Sequence, residues 1–415
     1  MSQNTSYSKT VLDNGLRIVS EQLSGVHSVS IGFWICSGSR QEDPEIMGIS
    51  HLVEHLLFKG TKHRSAFDLA VSLESLGGHL NGFTERESIC FYSTILSQHL
   101  EKAVEILSDL VQAPLFEEDS FHKEKQVVLE EISNLEDAPE DFIHDRWFSL
   151  MYPDHPLGMQ ILGTEETLAS ISLNDVHTFY RSHFTPQNII IAASGAVDHE
   201  KIVAYVQKYV TLDGSTGKKP VIIPGDIGPQ TVEEKKEIQQ CHFITGLRTM
   251  GYRDERKFAL ILFNTWLGAG MSSYLFQEVR ENAGLAYSVY SFLDFLSDTG
   301  VLGCYAGTSF ESAQRTLDMI TRVFDPRKNL FPAEELARLK SQLTGSLWLS
   351  LEDSFSRMNR LAKMEAYTGA YTSVEEVIQR FEAVTSDAIR NLANDIFLKN
   401  SIVTLFFMPS EIDYG

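Results

Sequence analysis

Apolar runs and helical periodicities divide this chain into two successions of strands and helices. Strand-like runs fall at Thr10–Val19, at 28–36 (Ser-Val-Ser-Ile-Gly-Phe-Trp-Ile-Cys), at Leu80–Thr84, at Ser88–Leu96 and at Asn188–Ala193. Helical spacing predicts helices over about 48–58, 97–112, 118–136, 163–182 and 199–210, and the Leu-Gly-Gly at 76–78 reads as a turn. Residues 211–230 are rich in Gly and Pro and form the best linker candidate. Beyond them, Cys241–Arg248, Ala286–Leu293, Gly300–Gly307 and Ile402–Phe407 read as strands. Phe258–Leu267 reads as a helix, and two more helical stretches precede the last strand.

The second succession repeats the first in outline. Aligning the strands at 28 and 241 maps His51 onto Asn264. Aligning Leu115-Phe116 with Leu330-Phe331 maps Glu124 onto Leu339 and Glu131 onto Ser346. The order of elements therefore predicts an α+β protein of two related domains, each a mainly antiparallel sheet packed with helices. The expected boundaries are 1–212 for the first domain, 213–230 for a linker and 231–415 for a related second domain without counterparts of the ligand candidates His51 and Glu131.

A length of 415 residues exceeds one comfortable hydrophobic core, which agrees with two domains. Apolar content of 43% and charged content of 22% are those of an ordinary globular protein. A net charge of −21 argues against nucleic-acid binding. Cys36, Cys90, Cys241 and Cys304 are scattered with no C-x-x-C pair, so reduced core cysteines are expected rather than a cysteine metal site. No signal peptide or spanning helix is recognisable, and cytoplasmic residence without membrane attachment is the expectation.

Candidate chemistry concentrates in His51-Leu-Val-Glu54-His55. Histidines four apart lie on one helical face and can grip one metal ion. At 100° per residue, Ile49, Leu52, Val53, Leu56 and Leu57 form an apolar arc, while His51, Glu54, His55 and Phe58 fall on the opposite one. The order H-x-x-E-H is the inverzincin signature, with the glutamate as candidate base. A catalytic zinc site needs a third protein ligand. Glu124 and Glu131, two turns apart, share a helical face with Phe121, Val127, Val128, Ile132 and Leu135, whereas Glu130 points elsewhere. Carboxylates set among apolar neighbours call for a cation or dense hydrogen bonding. The Gly268-Ala-Gly270 segment is not a nucleotide loop, because no Lys-Ser/Thr follows it.

Three segments carry a wider resemblance: His51-Leu-Val-Glu-His-Leu-Leu-Phe-Lys-Gly-Thr61, Gly77-Gly-His-Leu-Asn-Gly-Phe-Thr-Glu-Arg-Glu87 and Val127-Val-Leu-Glu-Glu-Ile132. With them the chain resembles the pitrilysin/insulinase family of zinc peptidases, in the branch of the mitochondrial processing peptidase β subunit and its bacterial relatives. The 75 residues between His55 and Glu131 suit that family's third ligand. The likeness continues through Asp154–Gly158, Ile161–Thr164 and Leu267–Ser273. It implies one zinc ion held by His51, His55 and Glu131, Glu54 as general base and Glu124 as a supporting glutamate. It further implies substrate held along Asn81 and Gly82 and contacted by Arg280 and Tyr287. Relatives usually carry Ala at the position of Gly82, and a more flexible strand is expected here. The implied protein is a zinc endopeptidase acting on peptides or unfolded segments in a chamber between two domains facing each other as a clamshell, and a homodimer. The alternative from a different class is a catalytically silent structural or substrate-binding subunit.

Overall fold

The computed structural model describes residues 6–214, 222–325 and 331–410. Part of the expected linker (215–221) and the Leu330 landmark of the repeat lie outside the described residues. The chain forms two compact units. The first comprises residues 1–134, 159–222 and 350–371, and the second 135–158, 223–349 and 372–415.

The first unit is built on a six-stranded sheet. Its strands are β1 (Ser6–Val11), β2 (Arg17–Gln22), β3 (Ser28–Ile35), β4 (His79–Thr84), β5 (Ile89–Leu96) and β6 (Ile189–Gly195), in the order β1-β2-β6-β3-β5-β4. The run read as one strand over Thr10–Val19 is instead a hairpin. Asp13-Asn14-Gly15 turns the chain, Gly15 takes φ +88°, and Asn14 Oδ1 accepts from Leu16 N at 3.2 Å. β3 is flanked by β6 and β5 and buried along nearly its whole length, hence its unbroken apolar run.

One face of this sheet is covered by α1 (Ile49–Leu57), α2 (Ala66–Glu74), α3 (Leu100–Gln112) and α4 (Glu118–Glu136), with further helices around them. The helix expected over 163–182 is two helices, Glu165–Ser170 and Leu173–His183. Thr164 and Ser172 each start one with a capping box. The other face is covered by Ser354–Thr368, whose Met358, Leu361 and Ala362 are buried against Val19, Trp34 and Ile190. Arg357 of that helix is fully buried and pairs with buried Glu21 at 3.1 Å.

The second unit holds β7 (Gln230–Lys236), β8 (Cys241–Met250), β9 (Ala286–Phe295), β10 (Thr299–Thr308) and β11 (Val403–Pro409), in the order β7-β11-β8-β10-β9. Without β1, the first sheet has the same order in sequence terms. The pairing senses also match: β2–β6 and β7–β11 are parallel, and the remaining pairs are antiparallel. The expected internal repeat is therefore present in topology. Pro139–Met151 lies on one face of this second sheet, with Trp147 buried and donating from Nε1 to Val403 O at 3.0 Å. Among the described residues five helices, not two, lie between β10 and β11: Phe310–Thr321, Leu336–Ser350, Ser354–Thr368, Val374–Ala383 and Ser386–Lys399. Cys90, Cys241 and Cys304 are buried free thiols and Cys36 is a half-buried one. Among the described residues no helix is long and apolar enough to cross a membrane.

Candidate metal centre

α1 owes its orientation to its two faces. Ile49, Leu52, Val53, Leu56 and Leu57 are buried in the core, and this anchors the opposite arc over α4 and β4. The start of α1 is secured from outside the helix. Gly48 at its N-cap takes φ +94° and offers no side chain. Buried Glu42 instead accepts from Gly48 N at 2.7 Å and Ser50 N at 2.8 Å. Burial pushes the Glu42 carboxyl up to about 7, against the opposing pull of hydrogen bonds from Ser50 and Gly48.

The structure brings His51, His55 and Glu131 together. Glu131 Oε2 lies 3.7 Å from His51 Nε2 and 3.6 Å from His55 Nε2. The two imidazoles sit 4.5 Å apart between centroids. One potential ligand atom from each residue falls within 4.8 Å of the others, and among the described residues this is the one such group of three or more. Tetrahedral zinc with bonds near ~2.1 Å needs ligand atoms roughly 3.4 Å apart, so the set fits one divalent cation. The protonation chemistry fits as well. Burial first, and the neighbouring His55 second, push the His51 imidazole down to about 3, so it is neutral near pH 7 and able to donate a lone pair.

His55 Nδ1 meets Glu124 Oε2 at 3.2 Å. A carboxylate on Nδ1 fixes the tautomer that leaves Nε2 free toward Glu131. Glu124 is buried, and its other oxygen receives Lys59 Nζ at 2.9 Å. Glu130 is exposed, as the helical face predicts. In the second unit, Asn264, Leu339 and Ser346 stand where the repeat places His51, Glu124 and Glu131, and no metal-holding group occurs there among the described residues.

Glu54 stands beside the three but is not part of the set. It is buried, and its Oε2 accepts from Thr84 Oγ1 at 3.0 Å. Burial chiefly, and the Glu131 charge to a lesser degree, raise its carboxyl pKa above the ordinary range, while Thr84 and His55 pull it down. Thr84 belongs to β4, which among the described residues pairs with β5 alone and so presents a free edge. Asn81 and Gly82 lie on that strand. Asn81 is exposed, and its Oδ1 accepts from Gly82 N at 2.8 Å.

Arg280 and Tyr287 belong to the second unit. Arg280 lies in a π-helical turn, Phe276–Asn282, with its guanidinium 4.6 Å from the Phe276 ring and 5.0 Å from the Tyr287 ring. The two residues form a cation–π pair, and Tyr287 is 79% exposed.

Glu42, Lys59 and Thr84 escaped the sequence reading. Lys59 could have been found four residues after His55, just past the C-cap of α1. Thr84 could have been found two residues after Gly82, on the same face of β4. Nothing local marks Glu42.

Comparison with known proteins places these features in a wider setting. Residues 17–165 match the model of the insulinase family (peptidase family M16), and residues 170–343 match that of the M16 inactive domain. An uncharacterised zinc protease of Bacillus subtilis is 38% identical over 393 residues, spanning 94% of this chain and 96% of that protein. One from Rickettsia felis is 34% identical over 97% of both chains. Among solved structures, a protease from Helicobacter pylori superposes with a TM-score of 0.90 at 24% identity, over 97% of this chain and 100% of that one. A protein from Pseudomonas fluorescens described as a peptidase M16 inactive domain gives 0.91 at 19% identity, over 98% of both.

Proposed function

The chain belongs to the insulinase family of peptidases, family M16, and on that footing we propose that it is a zinc endopeptidase cleaving peptides or unfolded polypeptide segments. The observation that carries this reading is the convergence of His51 Nε2, His55 Nε2 and Glu131 Oε2, with Glu54 beside them and outside the ligand set. Three protein ligands leave a fourth position open, the pattern of catalytic rather than structural sites. When bound, zinc supplies Lewis acidity toward the scissile carbonyl and makes water acidic enough to ionise near neutral pH.

The chain's own groups do the rest. His51, His55 and Glu131 hold the ion, and Glu124 orients the His55 ring through Nδ1. The Glu54 carboxylate takes a proton from the attacking water and returns it to the nitrogen of the leaving amine. Its raised affinity for protons suits that exchange near neutral pH. The free edge of β4 at Asn81 and Gly82 would take an extended peptide as an added strand. Arg280 and Tyr287 would contact the substrate backbone or the oxyanion. This last role, and a chamber between the two domains, rest on the family alone.

A Glu54→Gln variant tests the proposal. It is expected to keep its zinc, measured by elemental analysis, and to lose nearly all hydrolysis of a peptide library read by mass spectrometry. Hydrolysis at the unaltered rate would remove Glu54 as the base. A zinc-replete native chain that cleaved no peptide would return the protein to the silent-subunit class.

A further inference from the structure

We propose that Lys59 is a positioning residue of the metal centre: its ammonium group locks the Glu124 carboxylate, and through that carboxylate ties α4, which brings Glu131, to the segment that brings His51 and His55. This rests on the reading of those three residues as zinc ligands. Glu124 Oε1 receives Lys59 Nζ at 2.9 Å, and its Oε2 meets His55 Nδ1 at 3.2 Å. Both partners come from one stretch of chain, since Lys59 is the first residue beyond Phe58, the C-cap of α1. A single side chain of α4 is thus held at two points by the segment that carries the histidines. The apolar holds of α4 are few. Of its 19 residues Phe121, Glu124 and Val128 alone are buried, and Leu129 and Ile132 pack partly buried against the core of the first unit. Burial does not fix Glu131, whose side chain is 39% exposed. It stands seven residues beyond Glu124, two helical turns or roughly 10 Å along the axis. A clamp on Glu124 therefore governs where Glu131 arrives.

The other end of the clamp is anchored. Gly60 pairs with Ser65 and Thr61 with Pro114 in isolated bridges, and Leu115 N donates to Gly60 O at 3.2 Å shortly before α4 begins at Glu118. The backbone next to Lys59 is thereby fixed, and the ion pair costs only the ordering of side-chain rotamers. A pair wholly in water would be worth little, but this carboxylate is buried. Without the ammonium group, Oε1 of a buried carboxylate loses its partner, and the side chain is free to rotate away from His55. Simple repulsion makes the opposite prediction. Lys59 is a cation beside a site for a cation, so its removal should tighten zinc binding if charge were all that mattered. The clamp makes its removal loosen zinc binding. Once Glu124 is gone there is nothing left to clamp, and repulsion alone remains, so the sign of the Lys59 effect reverses in that background.

Zinc affinities of the full chain, measured by chelator competition, decide between the two. An outer carboxylate is worth about 10- to 100-fold in metal affinity, and Lys59 acts one link further out, so Lys59→Met is expected to bind zinc about 3- to 10-fold more weakly than the native chain. Lys59→Arg keeps a cationic donor and is expected to restore binding to within about twofold. Lys62→Met removes an equal charge from an exposed neighbour in the same loop and should not weaken binding. Added to Glu124→Ala, Lys59→Met should tighten binding, a non-additivity that marks action through Glu124. Nitrogen NMR of the zinc-free protein, at a mildly alkaline pH where imidazoles are neutral, supplies a readout that needs no metal. His55 should carry its proton on Nδ1 in the native chain and in Lys59→Arg, and should mix both tautomers in Lys59→Met. The inference is overturned if Lys59→Met binds zinc as tightly as the native chain or more tightly, if Lys59→Arg is as weak as Lys59→Met, if Lys62→Met is weakened equally, or if the His55 tautomer does not respond to Lys59→Met. A native chain that takes up zinc while Lys59→Met is indifferent sinks this inference alone. A native chain that takes up no zinc sinks the ligand reading itself.

Discussion

Replacing Glu124 with alanine separates its proposed orienting role from a purely structural one. Its carboxylate accepts from His55 Nδ1 at 3.2 Å on one oxygen and from Lys59 Nζ at 2.9 Å on the other, and it is buried. Alanine at this position leaves the imidazole free to adopt either tautomer and to rotate, so part of the binding energy at Nε2 goes into ordering the ring. Loss of such an outer carboxylate weakens metal binding by about 10- to 100-fold, or roughly 1.4–2.7 kcal/mol. The released Lys59 ammonium adds a cation beside the site, so the further change Lys59→Met should recover part of the loss. Glu124→Gln keeps an amide oxygen for Nδ1 and should lose less than alanine. Glu130→Ala, one residue from Glu131 on the exposed side of α4, should bind zinc normally. Competition against a chromogenic chelator measures all four constants. If Glu124→Ala held zinc as tightly as the unaltered protein, the orienting role would be wrong. If Glu130→Ala weakened binding equally, the effect would come from the charge of the helix as a whole.

The remaining predictions concern stability of the metal-free protein. His51 is held down at about 3 against an ordinary 6.5, so the unfolded chain takes up its proton first as pH falls and this residue costs stability through that window. Glu42, held up at about 7 against 4.5, acts in the opposite sense, since the folded state binds its proton first. Removing the first term alone with His51→Asn should therefore make the variant gain on the native chain by about 2–3 kcal/mol between pH 6.5 and 4.5, seen in urea midpoints; a pH-independent difference would contradict this. Glu42→Ala strands the buried amides of Gly48 and Ser50 and should cost about 2–4 kcal/mol in thermal or urea unfolding, with zinc affinity reduced through a loosened α1. An unchanged midpoint would mean that water replaces the carboxylate there.

The candidate metal centre is legible because the residues that form it obey local geometry. His51, Glu54 and His55 sort onto one arc of a helix at 100° per residue, and Glu124 and Glu131 sort two turns apart on another. The strands β3, β5 and β6 were legible as apolar runs with a burial reason. Elements whose stability comes from elsewhere were harder to see. β7 (Gln-Thr-Val-Glu-Glu-Lys-Lys) is mostly charged and is a strand because β11 pairs with it. Pro139–Met151 begins in an acidic run that reads as loop, and α2 was passed over although Ser65 and Asp68 form a capping box. Asn14-Gly15 was a hairpin signal inside what read as one strand. A periodic apolar face also announces that a helix is covered without saying by which sheet. For that reason the assignment of 135–158 and 350–371 to their units could not be read from pattern. Thr84 meets Glu54 across two elements, and no one-dimensional spacing records that contact.

The helix Ser354–Thr368 has a consequence for how the protein is made. It seals the far face of the first sheet, burying Met358, Leu361 and Ala362 and seating Arg357 on Glu21. A nascent chain that has just delivered His51, His55 and Glu131 from the ribosome still lacks this cover, and Glu21 remains a buried-site carboxylate without its counter-ion. The first unit thus completes its burial only once residues 350–371, more than 200 positions after Glu131 in sequence, have joined it.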